Sequence, residues 1–116
     1  MVDDAVLVTE RIAEMLKELI FVEYIFVANS FESGINATST IKPDFILLDI
    51  HLPDGSGIDL LEIVKKDFPA IKVLMVTNKV SEYYKDMCMQ KGADHFIDKS
   101  KEFENIPTIL NKYYSA

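Results

Sequence analysis

Apolar positions along this chain follow two alternating rhythms. Where they recur every three or four residues they mark one face of a helix; where they run on unbroken they mark a strand covered on both faces. Residues 5–20 place Val8, Ile12, Met15, Leu16 and Leu19 at helical spacing, with charge on the opposite face and Asp4 available as a cap. Tyr24 to Ala28 is a short β-rich run, and residues 29–40 predict a second helix that turns Phe31, Ile35 and Thr38 inward. Lys42-Pro43 punctuates the chain before a strand over Asp44 to Asp49. Ile58 to Phe68 predicts a helix with Leu60, Leu61 and Val64 on its core face, stopped by Pro69. Lys72 to Thr77 is a nearly continuous apolar strand. Ser81 to Lys91 reads as a helix that Ser81 caps and Gly92 closes. His95 to Asp98 is another short strand, and a last helix runs from Lys101 to about Tyr114.

Helices and doubly covered strands in alternation predict a single α/β domain over residues 1–116, a parallel sheet wrapped by helices, with no linker, repeat or low-complexity stretch. In such a sheet, chemistry sits beyond the carboxyl ends of the strands. Asp49, Thr77 and Lys99 each lie at or just after such an end. Asp3-Asp4 follow Met1-Val2, the stub of what would be the first strand. Five polar residues of complementary kinds would then meet on one edge.

Composition narrows what they can do. With 116 residues, 49% hydrophobic and 27% charged, the chain suits one compact domain with its own core. The single cysteine, Cys88, cannot form an internal disulfide, so a cytoplasmic location is expected. No stretch approaches the roughly 18 apolar residues of a membrane span, and the start MVDDAVLV is acidic where a signal peptide would be basic. A net charge of −7 and a pI of about 4.7 argue against direct nucleic-acid binding. Metalloprotease, P-loop, nucleophile-elbow and paired-cysteine motifs are all missing, and His51 and His95 have no metal-ligand spacing.

Three carboxylates held together repel one another, and a hard divalent cation such as Mg²⁺ relieves the repulsion. A lysine adds positive charge and a threonine a neutral donor, which together make a site for a phosphoryl group that one carboxylate attacks in line. Asp49, at the end of a central strand, is the natural nucleophile. Taken singly, each residue has a plainer reading: Asp49 as a turn or cap residue, Thr77 as a β-branched strand residue, Lys99 as a solvated lysine, Asp3-Asp4 as a frayed acidic end. Their joint placement favours the chemical one.

The segments FILLDIHLPDGSG, VLMVTN and GADHFIDKS, in that order, make the chain resemble the receiver domain of bacterial two-component response regulators over essentially its whole length. The resemblance implies a flavodoxin-like doubly wound fold, with five parallel strands in the order 2-1-3-4-5, the order of a chemotaxis member of this family, and five helices. It also implies that Asp49 accepts the phosphoryl group, and that Asp3, Asp4, Asp49 and the backbone carbonyl of His51 hold Mg²⁺. Thr77 is then the switch hydroxyl, Lys99 the partner of a phosphoryl oxygen, and Phe96 the aromatic that turns inward as Thr77 moves. Pro53 and Gly55 shape the loop after the acceptor. The implied partner is a sensor histidine kinase or phosphotransfer protein, with no nucleic acid or membrane contacted by this domain and a homodimer possible.

The sequence departs from the family in four respects. Only Met1-Val2 precede the acidic pair, so the first strand is truncated; a competing frame makes Ala5 to Val8 that strand, with Thr9-Glu10 at its end. Ser100 follows Lys99 where most relatives carry proline, and a trans bond is expected there because a cis bond before serine costs about 2.5–4 kcal/mol. His51 and Lys79 occupy loop positions that tune phosphoryl lifetime in the family. The sequence ends at the fifth helix, without an output domain. Val6 and Leu7, off the core face of the first helix, offer a docking surface for the kinase, and the helix bearing Tyr83, Tyr84, Met87, Cys88 and Met89 belongs to the expected output face with the strand and helix that follow it.

Four rival readings stand beside this one. The chain could be a receiver-like interaction module whose acidic pair is disabled by the short strand, or the receiver fragment of a DNA-binding regulator. A flavin carrier on the same fold, or an aspartate-nucleophile phosphatase, lacks its phosphate loop or its Asp-x-Asp here.

Overall fold

The apolar runs and the amphipathic stretches form the elements their periodicities predict, in an alternating order. In the computed structural model, which describes residues 1–78 and 81–115, these are α1 (Val6–Leu16), α2 (Phe31–Ile41), β1 (Phe45–Leu48), a small hairpin of β2 (His51–Leu52) and β3 (Gly55–Ser56), α3 (Gly57–Asp67), β4 (Lys72–Thr77), α4 (Glu82–Gln90), β5 (His95–Asp98) and α5 (Ile106–Ser115), the last preceded by a 3₁₀ turn over Phe103–Asn105. β4 and β5 match their sequence prediction residue for residue. Ser81 caps α4 by accepting the Tyr84 N–H at 3.2 Å, and Gly92, with φ 101°, occupies the left-handed conformation that closes it.

β1, β4 and β5 pair in parallel, Phe45 to Lys72 through Leu48 to Met75, and Leu74 to His95 through Thr77 to Asp98. Val2 bridges Leu48 on one side and Ala28 on the other, both in parallel. Read as chain-order positions, Ala28, Val2, β1, β4 and β5 give the order 2-1-3-4-5, the flavodoxin-like arrangement.

Alternation along the strands divides the core into two layers. Leu47, Leu74, Val76 and Ile97 face α1 and α5, where they meet Ile12, Leu16, Ile106, Ile109 and Leu110. Ile46, Leu48, Val73 and Met75 face the other way, onto Leu60, Leu61 and Val64 of α3 and Cys88 of α4, with Phe31 and Ile35 of α2 alongside. At the amino ends of the strands, Asp94 accepts the Val73 N–H at 2.8 Å and pairs with Lys65 of α3 at 2.7 Å, while its carbonyl accepts the Tyr113 hydroxyl at 2.7 Å. These bonds fix the β4/β5 register, and with it the positions of the polar residues at the other end.

Two expectations need correction. The first helix ends at Leu16, because the next turns tighten to three-residue bonds, Glu18 to Met15 and Leu19 to Leu16, and leave Ile20 fully exposed. The second strand, expected over Tyr24 to Ala28, and the first are single bridges rather than ladders. Their bonds are Met1 N–H to Phe26 O (2.7 Å), Ala28 N–H to Met1 O (2.8 Å), Asp3 N–H to Ala28 O (3.0 Å), Val2 N–H to Leu47 O (2.8 Å) and Asp49 N–H to Val2 O (3.0 Å). Pairing needs a neighbour, and Met1-Val2 are too short to serve residues 22–25. An open groove of about 730 Å³ lies there, with Tyr24, Ile25 and Phe26 on one side and Phe45, Ile46 and Leu47 on the other. Tyr24, Phe26 and Val27 stay exposed accordingly.

If the short ladder is set by the lack of a neighbour, an apolar β-branched tetrapeptide added ahead of Met1 will extend it. Each net bond gained contributes about 1 kcal/mol, so thermal melting should rise by several degrees over a Gly-Ser extension of equal length. Equal melting of the two fusions would count against this explanation.

Candidate functional site

The five bonds around Val2 determine where the acidic pair begins. Asp3, only 5% exposed, follows directly, its Oδ1 accepting the Ala5 N–H at 2.9 Å. Asp49 stands one residue past β1, its Oδ1 accepting the Ile50 N–H at 2.7 Å. Lys99 stands one residue past β5, its N–H bonded to the Thr77 carbonyl at 2.9 Å in continuation of the ladder. The buried Lys99 ammonium lies between the two carboxylates, 2.6 Å from Asp3 Oδ2 and 3.2 Å from Asp49 Oδ2. Burial alone would lower the Lys99 pKa. The Asp3 hydrogen bond and the charges of Asp49 and Asp3 together outweigh it, and the pKa lies above its ordinary value.

Asp4 is exposed and completes a group in which carboxylate oxygens of Asp3, Asp4 and Asp49 all lie within 4.8 Å of one another. It does not cap α1: Ala5 holds the cap position with no side-chain cap bond, and the carboxylate bonded near that start is Asp3's. Three carboxylates against one ammonium leave two negative charges, which a single divalent cation would offset. An all-oxygen donor set of this kind suits a hard ion such as Mg²⁺.

Thr77 ends β4 and is fully buried. Met75 and the half-buried Phe96 are register partners in the layer that holds α4, and strand alternation puts Thr77 on that same face, one step along from Phe96. His51 is exposed and pairs with Ser56 in the hairpin. Lys79 lies outside the described residues. Five of the expected residues, Asp3, Asp4, Asp49, Thr77 and Lys99, therefore stand together at the carboxyl edge, and Phe96 adjoins them. The competing frame fails, because residues 6–8 are helical. Despite the short first strand, the acidic pair stands beside Asp49 and Lys99.

The backbone is trans throughout the described residues, as expected at Lys99-Ser100. Asp98 Oδ1 accepts both the N–H and the hydroxyl of Ser100, at 2.9 and 2.6 Å, so a side-chain turn shapes this corner. Of the apolar positions offered for docking, Val6 is 58% and Leu7 78% exposed. On α4, Tyr83 and Met89 are exposed, whereas Cys88 is fully buried and Tyr84 and Met87 pack on the sheet.

The family model for the response regulator receiver domain matches residues 1–111. The chain belongs to the receiver domain family of response regulators. Among curated relatives, the response regulator protein VraR of Staphylococcus saprophyticus is 30% identical over 114 residues, which is 98% of this chain and 54% of that protein. VraR of Staphylococcus aureus is 30% identical over 96% of this chain and 53% of its own length. The chain thus spans about half the length of these relatives. Among solved structures, the signal receiver domain of a putative Luxo repressor protein from Vibrio parahaemolyticus superposes with a TM-score of 0.86 at 25% identity, covering 95% of this chain and 83% of that one. The response regulator domain of Thermotoga maritima CheB gives 0.85 at 24% identity, over 99% and 91%, and supports the fold alone. The receiver is a two-component signalling domain, a class whose general partners are histidine kinases. No helix among its described residues is long and apolar enough to cross a membrane.

Lys99 is the one cation bonded to both Asp3 and Asp49 among the described residues, so Lys99→Met leaves the two carboxylates without an ion-pair partner. The receiver should lose on the order of 3 kcal/mol in urea unfolding, part of which millimolar Mg²⁺ restores. A variant as stable as the parent without Mg²⁺ would exclude Lys99 as the neutralising group.

Proposed function

We propose that this receiver accepts a phosphoryl group on Asp49, from a phosphohistidine of a sensor kinase or phosphotransfer protein, and converts the modification into a change of its α4–β5–α5 surface. One observation carries the reading: Lys99 held between Asp3 and Asp49 at 2.6 and 3.2 Å, beside a third carboxylate and at the end of a rigid strand.

Asp3, Asp4, Asp49 and the backbone carbonyl of His51 would hold Mg²⁺, which supplies charge neutralisation to the incoming phosphoryl group. An Asp49 oxygen bonds to phosphorus as the phosphorus–nitrogen bond of the donor breaks, so phosphorus is transferred without a free intermediate in water. Lys99, already bonded to Asp49, is placed to take a phosphoryl oxygen when the carboxylate becomes an acyl phosphate. The Thr77 hydroxyl turns to a second oxygen, and Phe96, its neighbour on the same face, moves into the space released. Because packed layers shift between discrete arrangements, that small movement repositions α4 and α5. Exposed Val6 and Leu7, just after the acidic pair, give the kinase an apolar contact next to the chemistry. The domain modifies only itself, works in the cytoplasm and contacts neither nucleic acid nor membrane.

Acetyl phosphate with Mg²⁺ tests this through intact mass. The parent and Thr77→Ala should each gain one phosphoryl group and Asp49→Asn none. Only the parent should then show altered amide exchange in α4 and β5. Paired Val6→Glu and Leu7→Glu changes should slow labelling by a kinase and spare labelling by acetyl phosphate. A folded parent that gains no mass, or an Asp49→Asn protein that does, would overturn the assignment.

The half-length match to its relatives favours a second reading of where the signal goes: the switched surface acts on a further part of a longer regulator. Transcript sequencing across the locus decides it, since an in-frame stop directly after Ala116 excludes an attached output part.

A further inference from the structure

The loop after the acceptor is held at its far end by a contact that the chemistry above does not use. Asp54, at the tip of the β2/β3 hairpin, accepts the Phe31 N–H at 2.6 Å and the Glu32 N–H at 3.1 Å, the first two amides of α2. Those bonds hold its carboxyl below the usual carboxylate range. The same helix has a complete cap of its own: the Ser30 hydroxyl accepts the Ser33 N–H at 3.1 Å, and the Ser33 hydroxyl accepts the Ser30 N–H at 3.2 Å. A local cap and a distant carboxylate thus serve the same helix start, and only the second ties it to the hairpin. Gly55 completes the contact, because a Cβ there would come within 3.1 Å of the Phe31 ring.

The connections form a ring around the carboxylate cluster. Asp3 is bonded through its N–H to Ala28 O, and Ala28 leads by two residues into Ser30 and α2. Phe31 and Glu32 hold Asp54, and the hairpin leads back through Leu52 and His51 to Asp49. Asp49 in turn bonds Val2 through its N–H. At the hairpin base, Gly57 N–H donates to Ile50 O at 2.6 Å, and a Cβ on Gly57 would collide with the Asp49 carbonyl. The base is fixed by close backbone packing and the tip by Asp54.

We infer that Asp54 is a positioning residue for the acceptor site, a clasp that holds the hairpin and its His51 carbonyl against the start of α2, which the bond from Asp3 N–H to Ala28 O ties to the acidic pair. The inference rests on the receiver reading above, in which that carbonyl is a metal ligand. Groups that orient metal ligands from outside typically alter affinity by 10–100-fold. A clasp acting through a two-residue strand belongs at the lower end of that range.

The test is Mg²⁺ affinity of the full chain by calorimetry, with circular dichroism confirming each fold. Asp54→Ala should weaken binding by about tenfold, and Asp54→Asn, which keeps one acceptor oxygen in place of two, should fall between it and the parent. Ser30→Ala, which removes the local cap of the same helix, and exposed Glu32→Gln, which removes an adjacent negative charge, should both bind as the parent does. If Asp54→Ala does not fold, the gap between parent and Asp54→Asn decides. Parent-like binding by the Asp54 variants would overturn the clasp while leaving the receiver reading intact, as would an equal loss in Ser30→Ala or Glu32→Gln. A parent that binds no Mg²⁺ would overturn both.

Discussion

A buried ammonium between two carboxylates is the contact on which the rest of this receiver depends. Lys99 reaches Asp3 and Asp49 from the end of a different strand, so one side chain joins the first, third and fifth positions of the sheet at a single point. A charge so deeply placed is costly unless it is fully paired, and Lys99 is bonded to two acceptors. Each carboxylate gives its second oxygen to a backbone amide, of Ala5 and of Ile50. Neither Asp3 nor Asp49 can turn away from Lys99 without breaking another bond. The arrangement is therefore rigid before any ligand arrives, which is what a site for phosphoryl chemistry requires.

The residual charge points outward. Asp3 is buried and Asp49 half-buried, while Asp4 stands in solvent, so the unneutralised negative charge lies on the open side of the edge. A cation approaching from water meets Asp4 before it meets the paired carboxylates. The buried side of the same edge holds Thr77, with Phe96 on its face of the sheet. One strand end thus separates an ionic exterior from an apolar interior by a single layer of backbone.

How much of this could be read from the sequence depended on whether a residue acts through its own strand or across the fold. The run 72–77, buried beyond Lys72, and the half-buried run 95–98 were legible residue for residue, because each is a short β-rich stretch with turn residues at its ends. Asp49, Thr77 and Lys99 were legible for the same reason: strand ends fix where they fall. The second strand was not, since Tyr24 to Val27 have the composition of a strand and lack the neighbour that would pair with them. Asp4 looked like a cap because it precedes a helix, but the local bond went to Asp3. Asp54 sits in a Pro-Asp-Gly turn, where an aspartate needs no further explanation. Its bonds to amides 23 and 22 positions earlier are visible only once α2 and the hairpin are placed together.

The reduced first strand makes a general point about such sheets. In a parallel α/β fold the chemistry lies at the carboxyl ends, and the amino ends serve mainly to hold register. Here Val2 alone supplies the central position at the carboxyl end, with bonds to Leu47 and Asp49 on one flank and Met1 and Asp3 bonding Phe26 and Ala28 on the other. The groove opens only below that point, against residues 22–26 and 43–47. Register at the amino end is held instead by Asp94 with Lys65, Val73 and Tyr113, on the far strands. Because these restraints do not pass through the first strand, Thr77 and Lys99 are placed independently of it, and Asp3 needs only the few bonds around Val2 to meet them. A central strand can thus be one residue wide in its pairing and still deliver its carboxylate to the site.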